Sequence, residues 1–566
     1  MSDATVVAGA ILAVISALIA PGLPGLPPAA ALLLLGVAAL TRRREFVLMA
    51  VAVLVAVRAQ GAVAGLERPL PAGLSGVAEL ATDPLPDRFG TRVILRLDGR
   101  RWLATFDRAT EGRVRPLLSG ERLWVHGVVR PLQRAPESWR RSRHLAGRLK
   151  VDRVGPGPPA AAWYRLANGL HRLLHRGASR FDESDRALYL GLVLGDDRAQ
   201  GDLARSRFRA SGLGHLLAVS GQNVVFVLAV ATPLSSRLPL RVRWVAGVAV
   251  LAGFVLLTRA EPSVLRATVM AAVALAATTA GRLASGARVL ALAVLVLLVA
   301  DPLLVHSLGF RLSVAATAGL LGLARPLATV LPGPVPVATA LATTLSAQIG
   351  TIPFLLGVSG GVPAASIPAN LLAVPAAGAV MVLGLTVGPL AGLIRSGPAS
   401  YLQVPAGLLI DWVSLVATVA SRLPLGVLDG PRCALLALTG AVLVMSRRWA
   451  GSIRWALAVL GVVAVALIVA PVAPGPGHHR VAPHAVLEVD VCGATTLVLG
   501  PSARTGAVLD GLWRRGVRSV ATVSTTAPQG GPVATEVAEE LGARVVSGHG
   551  SGPDRPCGEG RVASPP

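Results

Sequence analysis

Ser211, His215, Ser220, Gln222 and Asn223 crowd into one short stretch just ahead of the apolar run Val224–Val230. Polar side chains bordering an apolar span must find partners, because hydrocarbon offers no hydrogen bonds. Such groups face a cavity, a neighbouring helix or a pore. Two readings stand. Ser220 or Asn223 caps a helix with His215 packed in an interface, or His215, Ser220 and Asn223 line a polar path. Arg266, Gln348 and Asn370 lie in similarly apolar surroundings. The guanidinium fork of Arg266 suits phosphate oxygens, or pairs with Glu261. The two amides line a path or bond between helices. Arg101, Trp102 and Trp124 combine cation and ring, a chemistry for stacking single-stranded bases; a solvated strand face over ordinary core aromatics accounts for them equally. Cys433, Cys492 and Cys557 have no zinc-site spacing, and His478, His479 and His484 fall in a Pro/Gly-rich linker. No Gly-rich Lys-Ser/Thr nucleotide loop occurs, and nothing calls for a cofactor.

The elements that must hold these groups are membrane spans. The 566 residues are 53% hydrophobic, with a mean hydropathy of +0.63. Several uncharged runs meet or approach the roughly 18–20 residues a membrane helix needs, which excludes a soluble enzyme and predicts a polytopic α-helical membrane protein. The net charge of +24 is almost all arginine, Lys150 being the only lysine. Basic loops favour anionic lipid and polyanions.

Residues 1–65 hold three candidate spans, Ala4–Ala20, Pro28–Leu40 and Phe46–Ala64. The basic loop Thr41–Glu45 belongs in the cytoplasm, so the chain after Ala64 lies outside. Residues 66–157 switch to strand alternation. Thr91–Leu97 and Arg101–Phe106 flank the hairpin signal Asp98-Gly99, and with Glu121–Val129 and Arg148–Val154 they predict a small extracytoplasmic β-barrel inserted after the first spans. Residues 158–200 read as amphipathic membrane-surface helices, the second capped by Asp182 or Ser184. Residues 201–472 carry repeated spans, several short or interrupted by proline and glycine, a pattern tolerated where segments line protein or water. The basic loop Ser446–Arg454 places the C-terminal segment outside. Residues 473–566 follow the linker Pro474–Gly477 as a small α/β domain. Its strands are expected at Ala485–Val491, Thr496–Leu499, Val517–Val523 and Arg544–Val546, its helices at Val508–Arg515 and Val533–Leu541. Outside the cell a Cys492–Cys557 disulfide is permitted, and so are two free thiols.

The stretch Ser211-Gly-Leu-Gly-His-Leu-Leu-Ala-Val-Ser-Gly221 resembles the signature of the ComEC-type competence proteins, inner-membrane channels that import single-stranded DNA during natural transformation. Further blocks resemble the same family in the same order: Glu261-Pro-Ser-Val-Leu-Arg-Ala267, Asp301-Pro302 through Gly309-Phe-Arg-Leu-Ser313, Ala347-Gln-Ile-Gly-Thr-Ile-Pro353, and Ile367-Pro-Ala-Asn-Leu-Leu-Ala-Val-Pro375. This chain departs from the family in having Gln222-Asn223 where many members carry Leu-His, and Arg311 at the usual glutamine.

The resemblance implies an OB-like fold for the barrel and a metallo-β-lactamase-like fold for the C-terminal domain. The family's metal motif should fall near Ser524–Gly531, where no His, Asp or Glu occurs, and a hydrolytic metal without imidazole and carboxylate ligands has no home. The C-terminal domain is therefore expected to be a truncated, non-catalytic remnant, and the chain a channel in the cell membrane, with no enzyme activity and no metal. Implied partners are single-stranded DNA, the lipid bilayer, a DNA receptor outside and an ATP-driven motor or strand-binding protein inside; a homodimer is left open. The rival readings are a transporter of another anionic solute and a membrane-anchored nuclease or hydrolase.

Overall fold

A computed structural model describes residues 2–547, apart from 24–28, most of 32–44, 88–89, 133–134, 218, 280, 282–283, 395–398, 424, 447–451, 471–473, 491–493 and 526–530. The expected second span, Pro28–Leu40, lies largely outside the described residues. So do both cysteines of the candidate disulfide, Cys492 and Cys557. The chain divides into two units, residues 1–199, 218–354 and 377–410 forming one, and 200–217, 355–376 and 411–566 the other.

In the first unit, α1 (Asp3–Ile19) and α2 (Glu45–Glu67) are apolar helices. Ser2 caps α1, its hydroxyl accepting from Thr5 N. Six strands follow: β1 Gly73–Leu80, β2 Leu85–Asp87, β3 Gly90–Leu97, β4 Arg100–Phe106, β5 Arg122–Arg130 and β6 Leu145–Pro156. Their order is β1-β5-β6-β4-β3-β2, and a β1–β3 pairing closes five of them into a barrel. All pairs within it are antiparallel except β4–β6. Asp98 and Gly99, both at positive φ, make the β3–β4 turn as their residue types dictate. Leu80, Leu95, Trp102, Phe106 and Leu149 fill the interior.

After the short α3 (Glu137–Ser142) come α4 (Ala162–Gly177) and α5 (Glu183–Leu194). Asp182 caps α5, accepting from Asp185 N at 2.8 Å, and Gly195 ends it at φ 73. On α4, Trp163 and Leu166 are exposed while Ala167, Asn168, His171 and Leu174 are buried. The barrel is tied to its neighbours by polar contacts: Asn168 Nδ2 donates to Ser119 O, Arg259 bonds Asp83 and Asn168, and His144 meets Asp301 at 2.8 Å.

Helix α6 (Asp202–Ala210) belongs to the second unit. It precedes in sequence the helices α7 Gly221–Ser235, α8 Leu240–Leu257, α9 Pro262–Thr279, α10 Gly286–Ala300, α11 Leu308–Val330, α12 Val335–Ser359, α13 Ser366–Leu393, α14 Ala399–Arg422, α15 Gly430–Ser446 and α16 Ser452–Val469. Among the described residues seven helices are long and apolar enough to cross a membrane; α7 and α10 are apolar but shorter. Two short strands, β7 Val362–Pro363 and β8 Val427–Leu428, pair with each other.

The C-terminal segment folds on a five-stranded sheet, β13-β12-β11-β10-β9, with β9 Gly477–Ala482, β10 Ala485–Val489, β11 Thr495–Leu499, β12 Thr522–Thr525 and β13 Arg544–Ser547. The β11–β12 and β12–β13 pairs are parallel, the others antiparallel. Helices α17 (Thr505–Arg514) and α18 (Gly531–Leu541) complete it. Two expectations are corrected here. His478 and His479 stand in β9 rather than in a linker, and residues 517–521 are not strand: Val517 and Val520 are apolar anchors of a loop, 7% and 4% exposed.

Candidate functional site

The first unit brings Ser220, Asn223 and Arg266 together. Ser220 precedes α7 as an N-cap, but its hydroxyl donates to Asn223 Oδ1 at 3.2 Å instead of accepting from the backbone. Asn223 Nδ2 in turn donates to Leu192 O at 3.5 Å. Ser263 Oγ, in the first turn of α9, donates to Val219 O at 2.7 Å and fastens α9 to the start of α7. Arg266 lies one turn further along α9 and is 7% exposed. Its Nε donates to Ser313 Oγ at 2.8 Å and its Nη1 to Met270 Sδ at 2.8 Å. The Glu261 pairing is thus not the one it makes.

A glycine lets these helices approach closely. A Cβ on Gly221 would stand 2.5 Å from Arg266 Nη2 and 3.2 Å from Ala267 Cβ. The buried guanidinium therefore lies directly against the backbone at the start of α7. A second close approach joins α11 and α12, where a Cβ on Gly350 would stand 2.3 Å from Ala315 O. Gln348 is half-buried on the same helix, α12.

His215 and Asn370 belong to the second unit. His215 is exposed on the single 3₁₀ turn Gly214–Leu217, and its ring bonds the Gly212 backbone. Gly212 has φ 77, and a Cβ there would stand 2.2 Å from that of Ser366. Asn370 is 9% exposed, and its Nδ2 donates to Ser366 O at 2.7 Å, one turn back on its own helix. Ser211 is fully buried and donates to Phe208 O at 3.1 Å.

On the barrel the structure separates Arg101 from Trp102. Neighbouring strand residues point to opposite faces, so Arg101 turns outward while Trp102, 1% exposed, enters the core and donates its Nε1–H to Leu97 O. Phe106 is 2% exposed. Neither ring has a face left for a base, which corrects the stacking role expected of Trp102. Trp124 is half-buried on β5, whose neighbours Leu123 and Val125 point inward. Arg92 and Arg96 on β3, and Arg148 and Lys150 on β6, are exposed on the strands flanking Arg101. The register sets Arg96 opposite Arg101, Leu103 opposite Arg148 and Thr105 opposite Lys150. This contiguous basic face was missed in the sequence. Its signal was strand alternation, which puts cation and ring on opposite sides.

A further group was missed altogether. His171 and His175, one turn apart on α4, face Asp196 in the loop after α5. Burial pushes the His171 pKa down to about 4, keeping its imidazole neutral at physiological pH. Burial works to raise the Asp196 pKa, but hydrogen bonds from Arg198 and His175 outweigh it and hold the carboxyl well below the usual range. The signal was His-x-x-x-His on a helical pattern, spacing that puts both rings on one face.

Residues 192–470 match the family model described as Competence protein. The segment they span, just under half of the chain, is thus similar to the Competence protein family. The matched span takes in Asn223, Arg266, Ser313, Gln348 and Asn370. The chain is also similar to ComE operon protein 3 of Bacillus subtilis, 30% identical over 232 residues, which is 40% of this chain and 29% of that protein. The aligned part thus spans under a third of that relative's length. No solved structure matches the chain significantly.

Proposed function

We propose that this protein acts in DNA uptake during natural transformation, as a cell-membrane channel that passes one strand of DNA into the cytoplasm. The observation that carries the reading is the meeting of separate sequence blocks at one place: Val219–Asn223, Ser263–Arg266 and Ser313, all within the competence-family span. Arg266 brings a buried cation to that meeting point. A desolvated guanidinium attracts phosphate far more strongly than one in water, so it is the group we assign to the strand's backbone.

The barrel supports the reading. Counting only the strands of the closed barrel, its order is 1-2-3-5-4-1, with strands 3 and 5 parallel. That order supports an OB-like fold for the barrel, a fold whose second and third strands are the usual binding face. Here those strands are β3 and β4, and with β6 they carry the basic surface of Arg92, Arg96, Arg101, Arg148 and Lys150. Contacts of that kind hold a phosphate backbone without reading its sequence.

In this proposal the barrel and the C-terminal domain lie outside the cytoplasm. The C-terminal domain is a metallo-β-lactamase-like remnant without catalytic activity, and the protein supplies a path, not a chemical step. A receptor delivers DNA, an ATP-driven motor or strand-binding protein inside supplies direction, and a homodimer is compatible with the scheme. The test is uptake of labelled duplex into a DNase-protected state in cells lacking the gene, complemented by wild type or by Arg266→Ala. Uptake of DNA at wild-type level without the gene would sink the reading.

A further inference from the structure

His171 and His175 present stacked rings, their centroids 4.8 Å apart. Asp196 Oδ2 lies 3.1 Å from His175 Nε2 and 3.9 Å from His171 Nε2. We propose that His171, His175 and Asp196 are the three protein ligands of a divalent transition-metal site, zinc being the best match, with a fourth position open to the adjoining pocket.

The geometry carries this in four ways. The ligand atoms all lie within 4.8 Å of one another. A tetrahedral zinc with nitrogen and oxygen ligands at about 2.0–2.1 Å spaces them about 3.3 Å apart, so the longest separation closes by about 1.5 Å on binding. The donor set of two imidazoles and a carboxylate suits zinc and its first-row neighbours, not magnesium or calcium. The side chains of His171 and Asp196 are only 3% and 6% exposed, whereas His175 is 37% exposed, so the site is fixed in the protein yet reachable from one side. Finally, Asp196 is oriented by a neighbour: Arg198 Nε donates to Oδ1 at 2.7 Å and Nη2 to Oδ2 at 2.6 Å. Hydrogen bonds of this kind hold ligating carboxylates in place.

The surrounding charge needs accounting, because arginines oppose a dication. Arg172 is paired with Glu121 at 2.5 Å, Arg115 with Glu111 at 3.0 Å and Arg259 with Asp83 at 3.1 Å, while Arg198 shares the Asp196 carboxylate with the proposed ion and lies 4.0 Å from Asp83. Arg176 then remains as a cation on the pocket wall. The pocket has a volume of about 470 Å³ and opens beside both histidines. Its basic wall favours an anionic fourth ligand, a phosphate oxygen or carboxylate, over a neutral one.

The test is zinc binding by the full-length protein, purified in detergent with a histidine-free tag, stripped with chelator and titrated with zinc chloride against a competing dye. The site predicts one zinc per chain, with His175→Ala and Asp196→Asn each lowering the affinity at least tenfold. The paired change His478→Ala/His479→Ala should leave binding unchanged. His171 is buried and its removal endangers the fold, so the partly exposed His175 carries the test. Cobalt(II) added to the stripped protein should give the visible bands of a four-coordinate ion, absent from His175→Ala. Substoichiometric zinc, or affinity unchanged in His175→Ala, would overturn the proposal and leave an ion-paired cluster only. Either outcome leaves the DNA-uptake reading where it stands.

Discussion

Arg266 is held by a hydroxyl and a thioether, Ser313 Oγ and Met270 Sδ, and by no carboxylate in the contacts described. A guanidinium so placed keeps its charge available to an anion in a way an ion-paired one does not. Arg266→Ala should therefore abolish strand transfer, lowering DNase-protected DNA at least tenfold while the protein accumulates normally. Arg266→Lys keeps the charge but loses the fork, and should recover only part of the activity. Quantitative uptake assays alongside immunoblots of membranes check both. The residue type and its apolar setting were legible in the sequence; its partner was not, because Ser313 lies 47 positions away in sequence. Trp102 marks the opposite case. Strand alternation already opposed it to Arg101, and the structure puts it in the core. Trp102→Ala should cost the barrel about 3–5 kcal/mol, read as lost hydrogen-exchange protection in β3 and β4, while an Arg96→Gln/Arg101→Gln pair should leave protection intact and weaken single-strand binding.

Elements show where local rules suffice and where they fail. The β3–β4 hairpin, the Asp182 cap and the long spans follow from turn chemistry, capping and hydropathy. The strand β9 was hidden because Pro474–Gly477 made its start look like linker. The bond of α6 to the C-terminal domain had no local signal at all. Arg207 on α6 forks onto Glu540, at 3.1 and 2.6 Å, Arg422 reaches the same carboxylate at 3.2 Å, and Ser206 donates to Gly506 O. Leu203 and Ala210 of α6 join the apolar core of that domain. The Glu540 side chain is 2% exposed. Burial works to raise its pKa, but Arg207 and Arg422 outweigh that and lower it. A depressed carboxyl stabilises the folded state above its unfolded pKa, near 4.3, and loses that contribution as pH falls through the folded value. Acidification below about pH 4 should therefore lower the hydrogen-exchange protection of α6 and α18 relative to the intrinsic rate at the same pH, and Glu540→Gln should show the lowered protection already at neutral pH. Gly212, at φ 77 against Ser366, is the other rigid point near α6. Gly212→Ala should cost on the order of 1–3 kcal/mol from backbone strain alone, seen as a lower unfolding temperature in detergent.

For the whole molecule, the sequence blocks that looked separate form two clusters. In one unit Val219–Asn223 meets Ser263–Arg266 and Ser313; in the other Gly212 meets Ser366, at the start of the helix that carries Asn370. Order along the chain could not reveal this, since helix packing in a bundle is set by close approaches such as Gly350 on Ala315 rather than by periodicity. The central claim is that the bundle passes DNA. Its most direct test separates binding from passage: labelled duplex is offered to cells with wild type, no gene, or Arg266→Ala, and surface-bound and DNase-protected label are counted apart. Surface binding at wild-type level is expected in all three strains, and protected DNA only with the wild-type protein. Protected DNA at wild-type level in the strain without the gene would contradict it.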